Sequence, residues 1–412
     1  MVYQFDERAR ARLDAYVSSV GDVLGNDARR ASFATYAMGL FGNADRKSME
    51  PIASYATGHP ERCSAVHQKI HHFISVSEWD DGAVRRVAAR YAIEAMQRHE
   101  PVTTWVIDDT GFLKQGKESV GVQRQYTGTA GKIANSQLGV SLSVATSRAH
   151  VPVDFELYLP EPWVEDQARR EKAKIPDDVS FRTKEALAIG MFERAVADEI
   201  PGNIVLADAW YGRSARFRDT IWAHGFDYAV GVQATLKMWV LGPRDQVVDD
   251  ARVTARAIAR SLPSKRFQTL TWRRGVRETG RANLRSRFAF VRVAVRGEYD
   301  RTPELAERQW LMIEWAKGDA EPTHYALTTL PRKMSKKEIV RMFKERYRTE
   351  QVYQEMKSEL GLDHFEGRSF RGWHHHVTVA IACHAFIVAE LSAAFPPSAR
   401  RASADGTLAT AA

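Results

Sequence analysis

Phe343, Arg346, Glu350 and Lys357 stand three, four and seven residues apart near the C-terminal end of the chain. On an α-helix, at about 100° per residue, those steps bring Arg346, Glu350 and Lys357 back to within roughly 40° of one another. A carboxylate then lies on one line between two cations. That arrangement suits a metal-bound acid set among phosphodiesters, because the ion neutralises the carboxylate while Arg and Lys hold the diester oxygens. The reading requires further acids, and two places supply them. The apolar run Thr103-Thr104-Trp105-Val106-Ile107 leads into Asp108 and Asp109, and Asn203-Ile204-Val205-Leu206-Ala207 leads into Asp208. Acids at the ends of adjacent buried strands, joined by a third from a helix beside them, can converge on one point. Such hard oxygen ligands suit Mg²⁺ or Mn²⁺. Two ions about 3.5–4 Å apart would activate a water or a 3′-hydroxyl and stabilise the leaving oxygen of an in-line phosphoryl displacement.

The elements needed to position these residues are legible in the pattern of apolar side chains. Residues 1 to about 95 read as helical, with apolar-periodic runs at 8–17, 31–41 and 84–96 separated by turn signals at Gly42-Asn43, Gly58-His59-Pro60 and Asp80-Asp81-Gly82. Asp45 to Ile52 followed by His67 to His72 has the form of a helix-turn-helix unit with basic side chains available for phosphates. From Pro101 the period becomes strand-like: strands are predicted at 103–107, 137–145, 151–159, 203–208 and 227–232, and helices at 183–198 and 214–224. A basic, β-forming interval from 236 to about 325 includes strands at Phe288–Val295 and Gln309–Trp315. Tyr325–Leu330 returns as a strand, Pro331 breaks it, and one long helix from Ser335 to Leu360 carries Glu350. Another apolar helix spans His376 to Leu391, and the tail from Phe395 has the composition of a disordered segment.

Composition narrows the classes. With 412 residues and 44% hydrophobic content the chain can bury a large core, and about 150 residues per domain predicts two or three domains. It shows no apolar run of the 18 or more residues that span a bilayer and no signal-peptide pattern, so the expectation is a cytoplasmic, bacterial-type protein. Cys63 and Cys383 belong to no C-x-x-C pair, which argues against zinc ribbons and disulfide scaffolds. Residues 252–301 hold 14 Lys and Arg against 3 Asp and Glu, an excess larger than the +8 of the whole chain. The remainder is therefore net acidic. A localised cationic segment is the footprint of a phosphate-backbone binder.

Three segments carry a family resemblance in order: Ile107-Asp108-Asp109-Thr110-Gly111-Phe112, Val205 through Gly212, and Glu350 through Glu359-Leu360-Gly361-Leu362-Asp363-His364-Phe365-Glu366-Gly367-Arg368-Ser369. The chain, from about residue 100 to 390, resembles DDE-type insertion-sequence transposases, most nearly those of the insertion sequence 701 family. Its helical stripe is similar to their Y-(2)-R-(3)-E-(6)-K signature, with Phe343 in the place of the Tyr and so without that hydroxyl. The resemblance implies an α/β fold, a ribonuclease-H-like mixed-sheet catalytic core (98–235 and 326–394) with a basic β-rich insertion (236–325); periodicity and composition add the N-terminal helical DNA-binding domain (1–97) and the disordered tail (395–412). The resemblance further implies Asp109, Asp208 and Glu350 as catalytic residues and metal ligands, Asp109 because related transposases place the acid immediately before Thr. Strand alternation would then turn Asp108 to the other face. It also implies two Mg²⁺ ions, replaceable by Mn²⁺, and a grip on transposon-end phosphates by Arg346 and Lys357. The implied partners are terminal inverted repeats, target DNA and a second copy of the chain, with cleavage and strand transfer as the reaction. A hydrolytic nuclease of the same core and a DNA-binding regulator without catalysis are the rival functions.

Other motifs are weaker. Gly111-x4-Gly116-Lys117-Glu118 lacks the Ser or Thr that a P-loop needs for Mg²⁺. The run His374-His375-His376 has no Cys to support zinc and is better read as a satisfied polar cluster. Trp272 and Trp310 lie in the basic interval, where an aromatic can stack on an unpaired base, although core packing is the better expectation for each.

Overall fold

The computed structural model describes residues 7–273, 283–299, 302 and 306–394. The expected tail and part of the basic interval lie outside them. The N-terminal module consists of helices α1 (Glu7–Asp22), α2 (Asp27–Phe41), α3 (Met49–Thr57), α4 (Ser64–His71) and α5 (Asp81–Gln97). Asn26 and Asp80 cap α2 and α5 by accepting from the amides of Arg29 and Ala83, which explains why those helices start where they do. The segments with helix-turn-helix form fall largely in α3 and α4.

The sheet begins with β1 (Thr104–Leu113), β2 (Gln123–Thr127), β3 (Lys132–Ala145) and β4 (His150–Tyr158). Helices α6 (Glu161–Glu165), α7 (Gln167–Ala173) and α8 (Lys184–Ala197) follow, then β5 (Ile204–Ala207), α9 (Ala209–Gly212), α10 (Ala215–Ala223) and β6 (Asp227–Val232). Strand β3 pairs antiparallel with both β1 and β4, while β1, β5 and β6 run parallel. The resulting order β4-β3-β1-β5-β6 is that of a ribonuclease-H-like core.

The basic interval folds as β7 (Lys237–Val240), β8 (Val253–Thr254), α11 (Ala255–Ser261), β9 (Gln268–Arg273), β10 (Leu284–Val295) and β11 (Glu307–Trp315), and the chain returns in β12 (His324–Thr328). Strand β12 pairs with β6 on one edge and β11 on the other. The interval therefore extends the core sheet, which reaches twelve strands among the described residues. The chain closes with α12 (Lys336–Glu345), α13 (Tyr347–Leu360) and α14 (Phe370–Ala394). The single helix expected from Ser335 to Leu360 is thus two, joined at Arg346, whose backbone stays in the right-handed helical region. Gly361 ends α13 at φ +61°, a conformation that favours glycine.

The two faces of the sheet have different coverings. Odd-numbered Trp105 points to Phe192 of α8 and to Phe226 in the turn between α10 and β6, its ring 5.4 Å from the first and 4.7 Å from the second. Even-numbered Val106, Ile204 and Leu206 pack with Ile339 and Val340 of α12. Farther along the same even face, Phe112 meets Trp373 of α14, with ring centroids 5.7 Å apart.

Helix α14 is long and apolar enough to cross a membrane, with a mean hydropathy of 1.6, yet 78% of its most apolar window is buried against the rest of the chain. Histidines interrupt its apolar run, and each of the consecutive His374, His375 and His376 has a partner, His374 Nδ1 at the Phe370 carbonyl. His375 Nδ1 bonds the Ile74 carbonyl, and His376 bonds the Tyr36 hydroxyl and the carbonyls of Gly361 and Leu362. The satisfied polar cluster is what the structure contains, and burial pushes the imidazoles of His375 and His376 down to about 4.

A buried ionic network ties the helical module to the sheet. Asp154 of β4 receives Arg85 of α5 at 3.2 Å and Arg194 of α8 at 2.7 Å, and Arg85 also holds Asp81. Breaking such a pair strands a charge out of water. Asp154→Ala should lower unfolding free energy by about 3 kcal/mol, the low end for buried pairs because Asp81 and Glu156 remain as partners. Urea unfolding followed by circular dichroism measures this, and a loss below about 1 kcal/mol would remove the network from any role in docking the module.

Candidate active site

Alternation along β1 decides which acid faces which covering. Asp108 follows Val106 on the even face, and its register neighbour across β3 is Ser141, whose Oγ lies 2.6 Å from the hydroxyl of Tyr353 on α13. Asp208 follows Leu206 in the same parity, with extended backbone (φ −81°, ψ −176°). Asp108 and Asp208 thus share the face covered by α12 and α13, the face from which Glu350 comes. Asp109 points the other way, toward α8. Its Oδ2 accepts from Lys184 Nζ at 2.7 Å and from the Tyr211 hydroxyl at 3.2 Å. The expectation from sequence places Asp109 on the site and turns Asp108 away. The parity of Asp208 reverses that orientation, because both strands enter the site in register, Ile107 beside Ala207.

Arg346 links the acids. Its Nη1 donates to Asp108 Oδ2 at 2.8 Å, and the attraction of Asp108, Asp208 and Glu350 raises the guanidinium's pKa against the opposing effect of burial. Desolvation dominates at Asp108, which is 7% exposed. Burial, together with the charges of Asp109 and Asp208, pushes its carboxyl up to about 7 despite the guanidinium.

Asp208 caps α9, its Oδ1 accepting from the amides of Trp210 at 2.9 Å and Tyr211 at 3.3 Å. Close backbone approach fixes that turn: a Cβ on Gly212 would lie 1.9 Å from the Gly231 carbonyl oxygen on β6. Glu350 is exposed in the first turn of α13. Among the described residues no three His, Cys, Asp or Glu side chains gather closely enough to hold a metal ion. The donor type of the paired acids nonetheless fits a hard divalent cation.

Lys357 lies inside this architecture. Its ammonium donates to Thr110 Oγ1 (2.9 Å), the Gly111 carbonyl (2.7 Å) and Thr129 Oγ1 (3.3 Å), which accounts for all three of its protons. Burial pushes its pKa down to about 8. Phe343 is half-buried and packs with the cluster around Ile339 and Val340.

Lys184 and Trp210 escaped the sequence reading. Lys184 Nζ and the Arg213 guanidinium lie 4.4 and 3.7 Å from the ring centre of Trp210, which is 41% exposed beside Asp208. The Ala209-Trp210-Tyr211 run after Asp208 was visible, but Lys184 comes from a separate helix that only the fold brings near. Of the other motifs, Gly111 lies within β1 and no helix follows it, as a P-loop would require. Trp310 lies under Lys336, with Nζ 3.0 Å from the ring centre, and Trp272 packs against Phe288. In the basic interval Arg292 pairs with Asp245, Arg260 with Glu321, and Arg287 stacks on Trp315, so part of its charge is neutralised or covered within the chain.

A ribonuclease-H-like sheet that brings two acids together at adjacent strand ends, under a helix bearing a third, defines the DDE class of fold and site. The chain belongs to the DDE superfamily endonuclease family, whose model matches residues 19–279, more than half of it. A second model, the transposase DDE domain, matches residues 184–386. A relative from Microchaete diplosiphon, described as a probable transposase for insertion sequence element IS701, is 27% identical over 217 residues. That match takes in 50% of this chain and 53% of the relative, so the chain spans about half the length of the curated relative it matches. Among solved structures, the piggyBac transposase synaptic complex with hairpin DNA aligns at 9% identity and a TM-score of 0.44, covering 93% of this chain and 74% of that one.

Two outcomes test the geometry. Because the folded pKa of Asp108 lies near 7, above its ordinary 3.8, its contribution to stability is complete below about pH 3.8 and is lost as pH rises through about 7. In metal-free protein, the melting temperature of wild type relative to Asp108→Asn should therefore fall across that window; a constant difference would refute the burial of a titrating carboxyl there. For Lys357→Ala, the salt slope of DNA binding should change by less than about half a phosphate contact, since its protons are committed internally. A change of about one would mean that Lys357 leaves Thr110 and Gly111 for a phosphate.

Proposed function

We propose that the chain is a DNA transposase that binds the terminal inverted repeats of its element, cuts at the ends and joins them to target DNA, acting as at least a dimer on paired ends. The observation that carries this reading is the electrostatic grouping of Asp108, Asp208 and Glu350 around Arg346 on one face of the sheet. In this proposal Asp108 takes the place expected of Asp109 in the metal-binding set, with Asp208 and Glu350 unchanged. Mg²⁺, or Mn²⁺ in its place, would supply Lewis-acid activation of the attacking oxygen and charge stabilisation at the leaving oxygen.

The chain's own groups do the rest. Arg346, held on Asp108 in the absence of DNA, transfers its guanidinium to a diester oxygen as the strand enters, exchanging a carboxylate for a phosphate partner. Asp109, neutralised by Lys184 and bonded by Tyr211, fixes the end of β1 from the opposite face. Lys357 pins Thr110 and Gly111, so that the acids reach the strand from a rigid edge. The family membership and the likeness to an IS701 transposase support DNA as the substrate.

The test is Mg²⁺-dependent cleavage and joining of DNA carrying the element's ends. Asp108→Asn, Asp208→Asn and Glu350→Gln should each lower the cleavage rate by about a thousandfold or more while leaving end binding within about threefold. Asp109→Asn should lower it about tenfold. Full loss in Asp109→Asn with activity retained in Asp108→Asn would return the metal set to Asp109. Cleavage without joining would identify a hydrolytic nuclease, and binding without cleavage in wild type would identify a regulator.

A further inference from the structure

Both oxygens of Asp108 are engaged. Oδ1 accepts from the backbone amide of Asp109 at 2.9 Å, and Oδ2 accepts from Arg346 Nη1 at 2.8 Å. The oxygen that the backbone leaves over is therefore the one that the guanidinium covers. A carboxylate oxygen has further lone pairs, but a fixed positive charge at hydrogen-bond distance opposes a second cation on the same group. Burial strengthens that opposition: the Arg346 and Asp108 side chains are 25% and 10% exposed, so water and salt screen them little.

The surroundings of Arg346 reserve it for this contact. The cations beside it in the chain have carboxylates of their own, Lys344 Nζ at 2.6 Å from Glu314 and Arg348 Nε at 2.6 Å from Glu345. Lys184 serves Asp109 on the opposite face of the sheet, and Lys357 is committed to Thr110, Gly111 and Thr129. That leaves Arg346 to Asp108, Asp208 and Glu350, whose charges all act on it. Glu350 itself is exposed and is not drawn into a closed ligand cluster.

The contact is also one that a phosphate can displace. A guanidinium carries several N–H donors in a planar fork, and a single carboxylate oxygen uses only part of it, whereas a diester phosphate takes two parallel bonds. Arg346 stands at the joint between α12 and α13, where a change in its direction does not cross the middle of a helix. We propose that Arg346 is a gate on the metal site: its guanidinium keeps divalent ions off Asp108 until a DNA phosphate draws it away, so that the acids accept metal only with a strand in place. The gate rests on the transposase reading above and adds to it a control that ties metal loading to engagement of DNA. Linkage makes the control reciprocal, since whatever factor DNA adds to metal affinity, metal adds to DNA affinity.

The probe is Mn²⁺, with the free ion counted by electron paramagnetic resonance. The full chain is titrated alone and with a duplex carrying the element's end, already cut and closed by a 3′-dideoxy nucleotide, so that neither cutting nor joining intervenes. After subtraction of the ions held by the duplex alone, wild type should bind Mn²⁺ at least about tenfold more tightly with the duplex than without it. Arg346→Gln should raise the affinity of the chain without DNA by about tenfold or more, and should shrink the increment given by the duplex by the same factor. Arg346→Met, which fills similar space without charge, repeats the measurement should the glutamine disturb folding. Equal Mn²⁺ affinity of wild type with and without duplex, or no gain in whichever variant melts as wild type, would overturn the gate. Asp208→Asn separates the two readings. If it binds Mn²⁺ as wild type does in the presence of duplex, the metal set falls and the gate with it; if it loses Mn²⁺ there while the Arg346 variants show no gain, the gate alone falls.

Discussion

The guanidinium of Arg346 crosses from the α12–α13 junction to Asp108 at 2.8 Å, and the arrangement of the acidic site follows from that contact. It requires Asp108 to lie on the face of β1 that α12 and α13 cover, and strand alternation then commits Asp109 to α8, where Lys184 neutralises it. The contact falls at the break between α12 and α13. Arg346 belongs to neither helix, and its side chain is engaged by an acid of the sheet. Without a cation at this point, a buried carboxyl would stand against the charges of Asp109 and Asp208 as well as its own desolvation.

Around that contact the sheet is supported from three directions. Phe192 of α8 and Phe226 of the α10–β6 turn cover the odd face by packing on Trp105. Helix α14, buried along most of its length, joins the helical module to the even face, and the network of Asp154, Arg85 and Arg194 locks the same junction by charge. The basic interval pairs through β12 to β6, beside the strand that carries Asp208, so its position relative to the acids is set by backbone hydrogen bonds. Charges borne on such an extension are held at a fixed distance from the acidic site, which a flexible linker would not ensure.

Much of this was legible in the sequence because it rests on local periodicity. Alternating β-formers marked the strands that became β1, β3, β4, β5, β6, β10 and β11, and helical spacing marked α1, α2, α5, α8, α10 and α14. The acids at the ends of two strand signals, and the Arg346, Glu350 and Lys357 stripe, were visible for the same reason: period and spacing are properties of neighbours in the chain. The family resemblance added the expectation of a ribonuclease-H-like core, which no local pattern contains.

What the tertiary structure decided was facing and partnership. Asp108 and Asp109 are chemically identical neighbours, and only the register of β1 against β5 tells which one shares a face with Asp208. Lys357 reads as a free cation on a helix stripe, yet packing brings three oxygens from β1 and the turn beyond β2 within reach and takes up its protons. Lys184 carries no signal of its own until α8 crosses the odd face and delivers it to Asp109. The sequence alone determined which residue types occur at which spacing along each element. The directions those elements present to one another depend on long-range pairing and burial, whose free energy is realised only when the whole sheet is assembled.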